Sequence, residues 1–317
     1  MGAPNLRRLR LQTRRRGGTT VGHVFAVLAP GQGAQRPGQL TCWLDGAADL
    51  GFLDGLSAAA GLDLAKLGTT ATAEQLLDTA VAQPLVVATS LLAARRLGPV
   101  PGVLAGHSVG EWAAAALAGV LTAEEAVALV AVRGRAMAAA CAVQPTGMAA
   151  VLGGDRGAVL GRLADLDLAA ANDNGPGQLV AAGRVEALDA LAANPPTGAR
   201  VRRLAVAGAF HTTHMAPARA ALAAASRDVL PRDPGVPLVS NADGALVSDG
   251  AEVLARLVAQ VDAPVRWDRC QLTLARLGVD AVLELPPAGT LAGLARRALP
   301  GAIVTAVSDP SDLLTAA

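Results

Sequence analysis

The apolar positions of this chain fall into short unbroken runs that alternate with longer amphipathic stretches. His23–Ala29 (HVFAVLA) is such a run, and Pro30-Gly31-Gln32-Gly33 stops it, which predicts a buried strand ending in a tight loop at the edge of a site. Thr72 with Gln75 three residues on forms a capping box for one helical turn. Thr79 is the expected cap of a second helical segment that carries Pro84 near its start and reaches Gly98. Val103–Ala105 is a brief strand leading into Gly106-His107-Ser108-Val109-Gly110. The helix formers Glu111–Leu117 follow, ended near Gly119. Thr122 and Glu125 form another capping box, opening an amphipathic helix to about Ala140 that bears Arg133.

Shorter units begin at Gly147. Met148–Leu152 reads as a strand, Arg156–Leu166 as a helix, residues 172–177 as an Asn/Gly turn, and Gln178–Ala182 as a strand. Val185–Ala193 follows as a helix and Val201–Val206 as a strand. This βαββαβ order over about 60 residues suggests a small ferredoxin-like α+β domain inserted into a larger one. The larger unit then resumes with a helix (Pro217–Ser226), a strand (Pro237–Ser240), a helix (Ala251–Val261) and a strand (Ala281–Leu285). The expected division is an Arg-rich, disordered extension over 1–21, a discontinuous large α/β domain over 22–146 and 211–317, and the insert over 147–210. A site between the two parts would lie in a cleft.

Composition narrows the classes. The 317 residues are 52% hydrophobic and 17% charged, which excludes global disorder. With three Phe, three Trp and no Tyr, stacking platforms for single-stranded nucleic acid are nearly absent, and no nucleic-acid partner is expected. No apolar run approaches the roughly 18 residues of a membrane span, so no membrane association is expected. Six of the 27 basic residues are the arginines at 7, 8, 10, 14, 15 and 16, leaving 21 against 26 acids and a mildly acidic folded part. That stretch lacks the apolar segment of a secretory signal. Cys42, Cys141 and Cys270 are far apart and without metal spacing, which suits a reducing compartment; the expected location is cytoplasmic.

Gly106–Gly110 matches G-x-S-x-G, the strained strand-to-helix turn that lifts a serine hydroxyl into a cleft, with helix N–H groups beside it for an oxyanion. The motif alone is not specific; the strand before it and the helix after it make Ser108 the candidate nucleophile. Such a hydroxyl needs a base at neutral pH, and the chain has four histidines. His23 reads as a strand-edge residue, and His107 as pointing away from Ser108. His211 and His214 remain, and one of them is expected to face the serine. The His-x-x-His spacing lacks the companion ligands of a zinc site, so no metal is expected. Phosphate loops of the G-K-[ST] type are absent.

Over residues 22 to 310 the chain resembles the malonyl-CoA:acyl carrier protein transacylase family and the acyltransferase domains of polyketide synthases. The motifs that carry this are Pro30-Gly31-Gln32-Gly33-Ala34-Gln35, Gly106-His107-Ser108-Val109-Gly110-Glu111, Arg133-Gly134, Gly208-Ala209-Phe210-His211, and Gln260 with Pro264-Val265-Arg266-Trp267. The implied fold is a large α/β-hydrolase-like domain with a parallel sheet and the small ferredoxin-like insert. The resemblance implies Ser108 as acylated nucleophile, His211 as its base, and the backbone N–H groups of Gln32 and Val109 as oxyanion hole. Gln260 would orient the histidine through its backbone carbonyl. Arg133 would grip the malonyl carboxylate, as a planar bidentate fork suits, although an arginine on a helix is ordinarily a solvated charge. Phe210 would disfavour an α-methyl substituent. Asn172 and Asn174 would face substrate, with turn geometry as an equal alternative reason for them.

The implied reaction takes malonyl-CoA as substrate and delivers malonyl to the phosphopantetheine of an acyl carrier protein, with no bound cofactor and a monomeric enzyme. The alternative on the same scaffold is an acyl-carrier-protein thioesterase or editing hydrolase. Glu284-Leu285-Pro286-Pro287 departs from the family pattern and is expected to stiffen a loop without touching chemistry.

Overall fold

The computed structural model describes residues 10–14, 20–98 and 102–316. In chain order the strands and α-helices are β1 (Arg10–Arg14), β2 (Thr20–Ala29), α1 (Ala47–Ala60), α2 (Leu64–Thr70), α3 (Thr79–Ala94), β3 (Val103–Gly106), α4 (Gly110–Leu117) and α5 (Ala123–Cys141). The small unit holds β4 (Thr146–Gly153), α6 (Arg156–Asp165), β5 (Ala169–Asp173), β6 (Gln178–Arg184), α7 (Val185–Ala193) and β7 (Ala199–Arg203). The chain continues with α8 (Ala216–Ala225), β8 (Leu238–Val239), β9 (Leu246–Val247), α9 (Gly250–Ala259), β10 (Val265–Arg266), α10 (Trp267–Arg276), β11 (Ala281–Glu284), α11 (Thr290–Ala298), β12 (Ile303–Ala306) and α12 (Pro310–Ala316).

The large sheet runs β12-β11-β2-β3-β8-β9, parallel as far as β8 and antiparallel at β9. Its central strand explains why the sequence read as an unbroken apolar run. Phe25, Val27 and Ala29 point into the core shared with α1 to α5, while Ala26 and Leu28 point into a second core with Trp267, Leu274 and Leu291 of α10 and α11. Helices cover both faces, so both alternate sets must be apolar.

In the small sheet the order is β10-β5-β6-β4-β7. Its four strands from the insert pair antiparallel, with β4 between β6 and β7, which is the ferredoxin-like order expected from βαββαβ. Helices α6 and α7 cover one face through Val159, Leu163, Leu188 and Leu191. On the other face Met148, Val180 and Ala182 belong to the main core. The fifth strand, β10, comes from well after the insert and pairs parallel with β5, Val265 opposite Asn172, so the two units share a sheet.

Several boundaries differ from expectation. Asp78, not Thr79, caps α3, accepting from the Ala80 N–H at 2.9 Å; its extended backbone just ahead of the helix lets the carboxylate reach the second helical amide. The extension expected to be disordered over 1–21 contributes β1, which pairs antiparallel with residues 20–24 of β2. That half of β2 overshoots its neighbours, and its backbone groups need partners; the rest of the extension up to residue 19 lies outside the described residues. Asn172 sits within β5, opposite Val180 at a bulge, rather than on the turn, because the ladder continues to Asp173. Among the described residues no helix is long and apolar enough to cross a membrane.

Candidate active site

Strand β3 ends at Gly106 and α4 begins at Gly110, so the chain must reverse within three residues. A side chain at Gly106 would meet the Gly110 carbonyl carbon at 2.1 Å, and one at Gly110 would meet the Ala29 carbonyl oxygen at 2.2 Å. Only glycine fits at either position. Between them Ser108 adopts φ 53°, a left-handed conformation costly for any residue with a Cβ. A buried asparagine holds it there. Asn241 Oδ1 accepts the Ser108 N–H at 2.8 Å, and its Nδ2 donates to the Gly106 carbonyl at 2.7 Å.

Across the cleft His211, also left-handed at φ 61°, brings Nε2 to 2.7 Å from Ser108 Oγ. Its Nδ1–H donates to the Gln260 backbone carbonyl at 2.8 Å, which fixes the tautomer that leaves Nε2 free to accept from the hydroxyl. Burial, followed by the nearby positive charge of Arg133, pushes the imidazole down to about 3, so it stays neutral.

Arg133 is fully buried on α5. Its Nη1 donates to Gln83 Oε1 at 2.6 Å, and Nη2 to Gln260 Oε1 at 3.3 Å and Ser108 Oγ at 3.4 Å. The next residue explains this reach. At Gly134 a Cβ would stand 2.8 Å from the Thr79 carbonyl, so α5 packs against the α3 backbone and brings Arg133 onto Gln83. Among the described residues Arg133 hydrogen-bonds only uncharged groups and its Nε has no partner; burial, opposed by the charge of Glu111, lowers it to about 10. An unpaired buried cation is costly, and an incoming carboxylate offsets that cost.

The cleft above these groups measures about 460 Å³ and is walled by the large unit on one side and by Met148, Ala150 and Val180 of the small sheet on the other. Gln32, Ser108, Phe210, His211, Asn172 and Asn174 all line it. Arg133, Val109 and Gln260 stand behind this lining. Among the described residues the main-chain N–H groups of Gln32 and Val109 donate to no protein acceptor. Among the described residues Asn172 Oδ1 is buried without a partner, and Asn174 Oδ1 bonds His107 Nε2 at 2.9 Å. The structure therefore turns His107 into the cleft, against the expectation that it points away, and packs its ring edge-on to Trp267. His214 bonds Gln144 instead of facing the serine.

Elsewhere, Glu284 of the Glu-Leu-Pro-Pro segment accepts from the N–H groups of Gly289, Leu291 and Ala292 at 2.8, 2.9 and 2.7 Å, fastening the start of α11. Among the described residues no three His, Cys, Asp or Glu side chains gather as a metal site.

Two residues that the sequence did not single out, Gln83 and Asn241, stand next to the chemistry, as does Glu111, which ends the serine motif and had no expected role. Gln83 carries a faint signal, a lone amide in the apolar run Ala80–Val87. Asn241 reads as an ordinary turn residue. Glu111 reads as a helix former, yet its buried carboxylate accepts the Asn241 N–H at 2.6 Å and bonds Gln260 Nε2. Burial pushes it up to about 8.

The chain is similar to known proteins over most of its length. The acyl transferase domain model matches residues 28–308. A malonyl CoA-acyl carrier protein transacylase of Mycobacterium tuberculosis (strain ATCC 25618 / H37Rv) is 55% identical over 298 residues, covering 92% of this chain and 98% of its own. The crystal structure of MCAT from Mycobacterium tuberculosis superposes with a TM-score of 0.89 at 53% identity, covering 91% of this chain and 98% of that one. A malonyl-transacylase solved in complex with its type II polyketide synthase acyl-carrier protein superposes at 0.85 with 30% identity, covering 92% and 98%. With its elbow serine, facing histidine and buried arginine in one cleft, the chain belongs to the acyl transferase domain family, among the malonyl CoA-acyl carrier protein transacylases.

Proposed function

We propose that this protein transfers a malonyl group from malonyl-CoA to the phosphopantetheine thiol of an acyl carrier protein through an ester on Ser108. The observation that carries the reading is the convergence of a hydroxyl, a neutral imidazole at 2.7 Å and a buried guanidinium at 3.4 Å at one cleft floor.

In the first half-reaction Ser108 Oγ attacks the thioester carbonyl as its proton passes to His211 Nε2. The N–H groups of Gln32 and Val109 hold the oxyanion, and the Gln260 carbonyl stabilises the imidazolium through Nδ1–H. The intermediate collapses with CoA leaving as thiol, reprotonated from His211. In the second half the carrier thiol gives its proton to His211 and attacks the ester; Ser108 leaves and recovers that proton. Arg133 pairs with the free carboxylate of the malonyl group in both halves, which fixes the reacting carbonyl over Ser108. Asn172 and Asn174 offer polar contacts along the cleft, and Phe210 crowds the α-carbon.

In this reading the enzyme is a cytoplasmic monomer without a bound cofactor and supplies extender units for fatty-acid or polyketide synthesis. The likeness to the carrier-protein complex supports the choice of acceptor. The test is incubation with malonyl-, methylmalonyl- and acetyl-CoA, then addition of a phosphopantetheinylated acyl carrier protein, with intact masses of both proteins. A malonyl adduct on the enzyme that moves to the carrier is the expected result. Loss of the adduct to water with no gain on the carrier would mean a hydrolase instead.

A further inference from the structure

We infer that Glu111 is a positioning residue that ties the nucleophile elbow to the seat of the histidine. The inference rests on the reading of Ser108 as nucleophile and His211 as base, and adds a residue to it.

Glu111 lies in the first turn of α4, three residues past the serine, with its side chain buried. Each carboxylate oxygen takes one N–H: Oε1 that of Asn241 at 2.6 Å, Oε2 that of the Gln260 side chain. The two donors lead to different halves of the site. Asn241 accepts the Ser108 N–H and donates to Gly106, so it holds the left-handed serine in place. Gln260 accepts from His211 through its backbone and touches Arg133 through Oε1. The halves also meet directly, since Gln260 Nε2 lies 3.2 Å from Asn241 Oδ1.

One N–H donor on each oxygen matches the ionised carboxylate, an acceptor at both, and the experiment is read above the raised Glu111 value of about 8, where that form prevails. Both Asn241 and Gln260 present N–H groups to the carboxylate, and a group with its own N–H₂ would set donor against donor at one of the two. A buried polar network loses most when one member is left unsatisfied. Arg133 keeps its 2.6 Å bond to Gln83 independently of Glu111, so the effect falls on the Ser108–His211 pair more than on the grip of the malonyl carboxylate.

The experiment is Glu111→Gln, measuring the rate constant for labelling of Ser108 by a small sulfonyl fluoride, normalised to titratable serine, beside malonyl transfer kinetics and thermal unfolding. We expect labelling to slow at least fivefold and kcat to fall in parallel, with KM for malonyl-CoA changing less than threefold. Labelling of the folded variant within fivefold of the parent would overturn the inference, whatever the yield, because a merely structural role lowers the amount of active enzyme and not the rate per active serine. Should Glu111→Gln fail to fold, Gln260→Leu cuts the same link from its other end while keeping the backbone carbonyl, and the same fivefold criterion applies. Failure of the parent itself to be labelled at Ser108, judged against Ser108→Ala, would instead sink the underlying reading of the nucleophile.

Discussion

Ser108 Oγ stands 2.7 Å from His211 Nε2 although 103 residues separate the two in the chain, and both residues hold a left-handed backbone. Two strained residues facing each other mean that the surrounding fold over-determines the pair. Replacing Ser108 by Ala removes the attacking atom and leaves that scaffold intact. Intact mass spectrometry after malonyl-CoA treatment should show a malonyl adduct on the parent and none on Ser108→Ala.

Arg133→Ala should cut malonyl loading roughly 10- to 100-fold, the range for losing hydrogen bonds to a charged group, while acetyl loading changes little. Acetyl has no carboxylate for the guanidinium to meet. Equal losses for both acyl groups in a loading assay would remove Arg133 from substrate recognition.

The pH dependence follows from the direction of the His211 shift. A depressed pKa keeps the imidazole in its base form as acidity rises, so serine labelling by a sulfonyl fluoride should stay nearly flat from pH 7 to pH 5, below the Glu111 value of about 8. An ordinary imidazole, half-protonated near 6.5, would lose most of its base form over that range. The Arg133 charge is the second cause of the depression after burial, so Arg133→Ala should move the acid inflection upward, toward 6.5. A parent inflection near 6.5 in the rate profile would contradict this.

Gly106→Ala forces a Cβ to within 2.1 Å of backbone and should lower stability by about 3 kcal/mol, the upper end for overpacking, as read by urea unfolding. Gly161→Ala on α6 is the control. No described residue lies within 4 Å of its added methyl, and stability should rise by roughly 0.4–1 kcal/mol.

Phe210→Ser should raise the ratio of methylmalonyl to malonyl loading about 10-fold, the scale on which one carbon is discriminated in an apolar pocket. Phe210 borders the cleft immediately before His211. An unchanged ratio in a competition assay would show that the α-carbon is policed elsewhere.

Much of this protein was fixed locally. The elbow was legible because Gly106 and Gly110 are required by contacts within their own turn and with the adjoining strand end, and β2 because a strand covered on both faces must be apolar throughout. The capping box at Thr122 and Glu125 is present as read, since its bonds span three residues. The βαββαβ order of the insert was written in the alternation of its short runs. What the order of residues could not state is which distant groups meet. That His107 turns into the cleft while His214 turns away to Gln144, that Asn241 clamps the serine, and that Glu111 joins Asn241 to Gln260 depend on chain segments up to 149 residues apart. Local pattern reports the period and caps of each element. The packing of α5 on α3 and of β10 on β5 decides which side chains share a buried space, and there desolvation turns an ordinary Arg, His and Glu into a site.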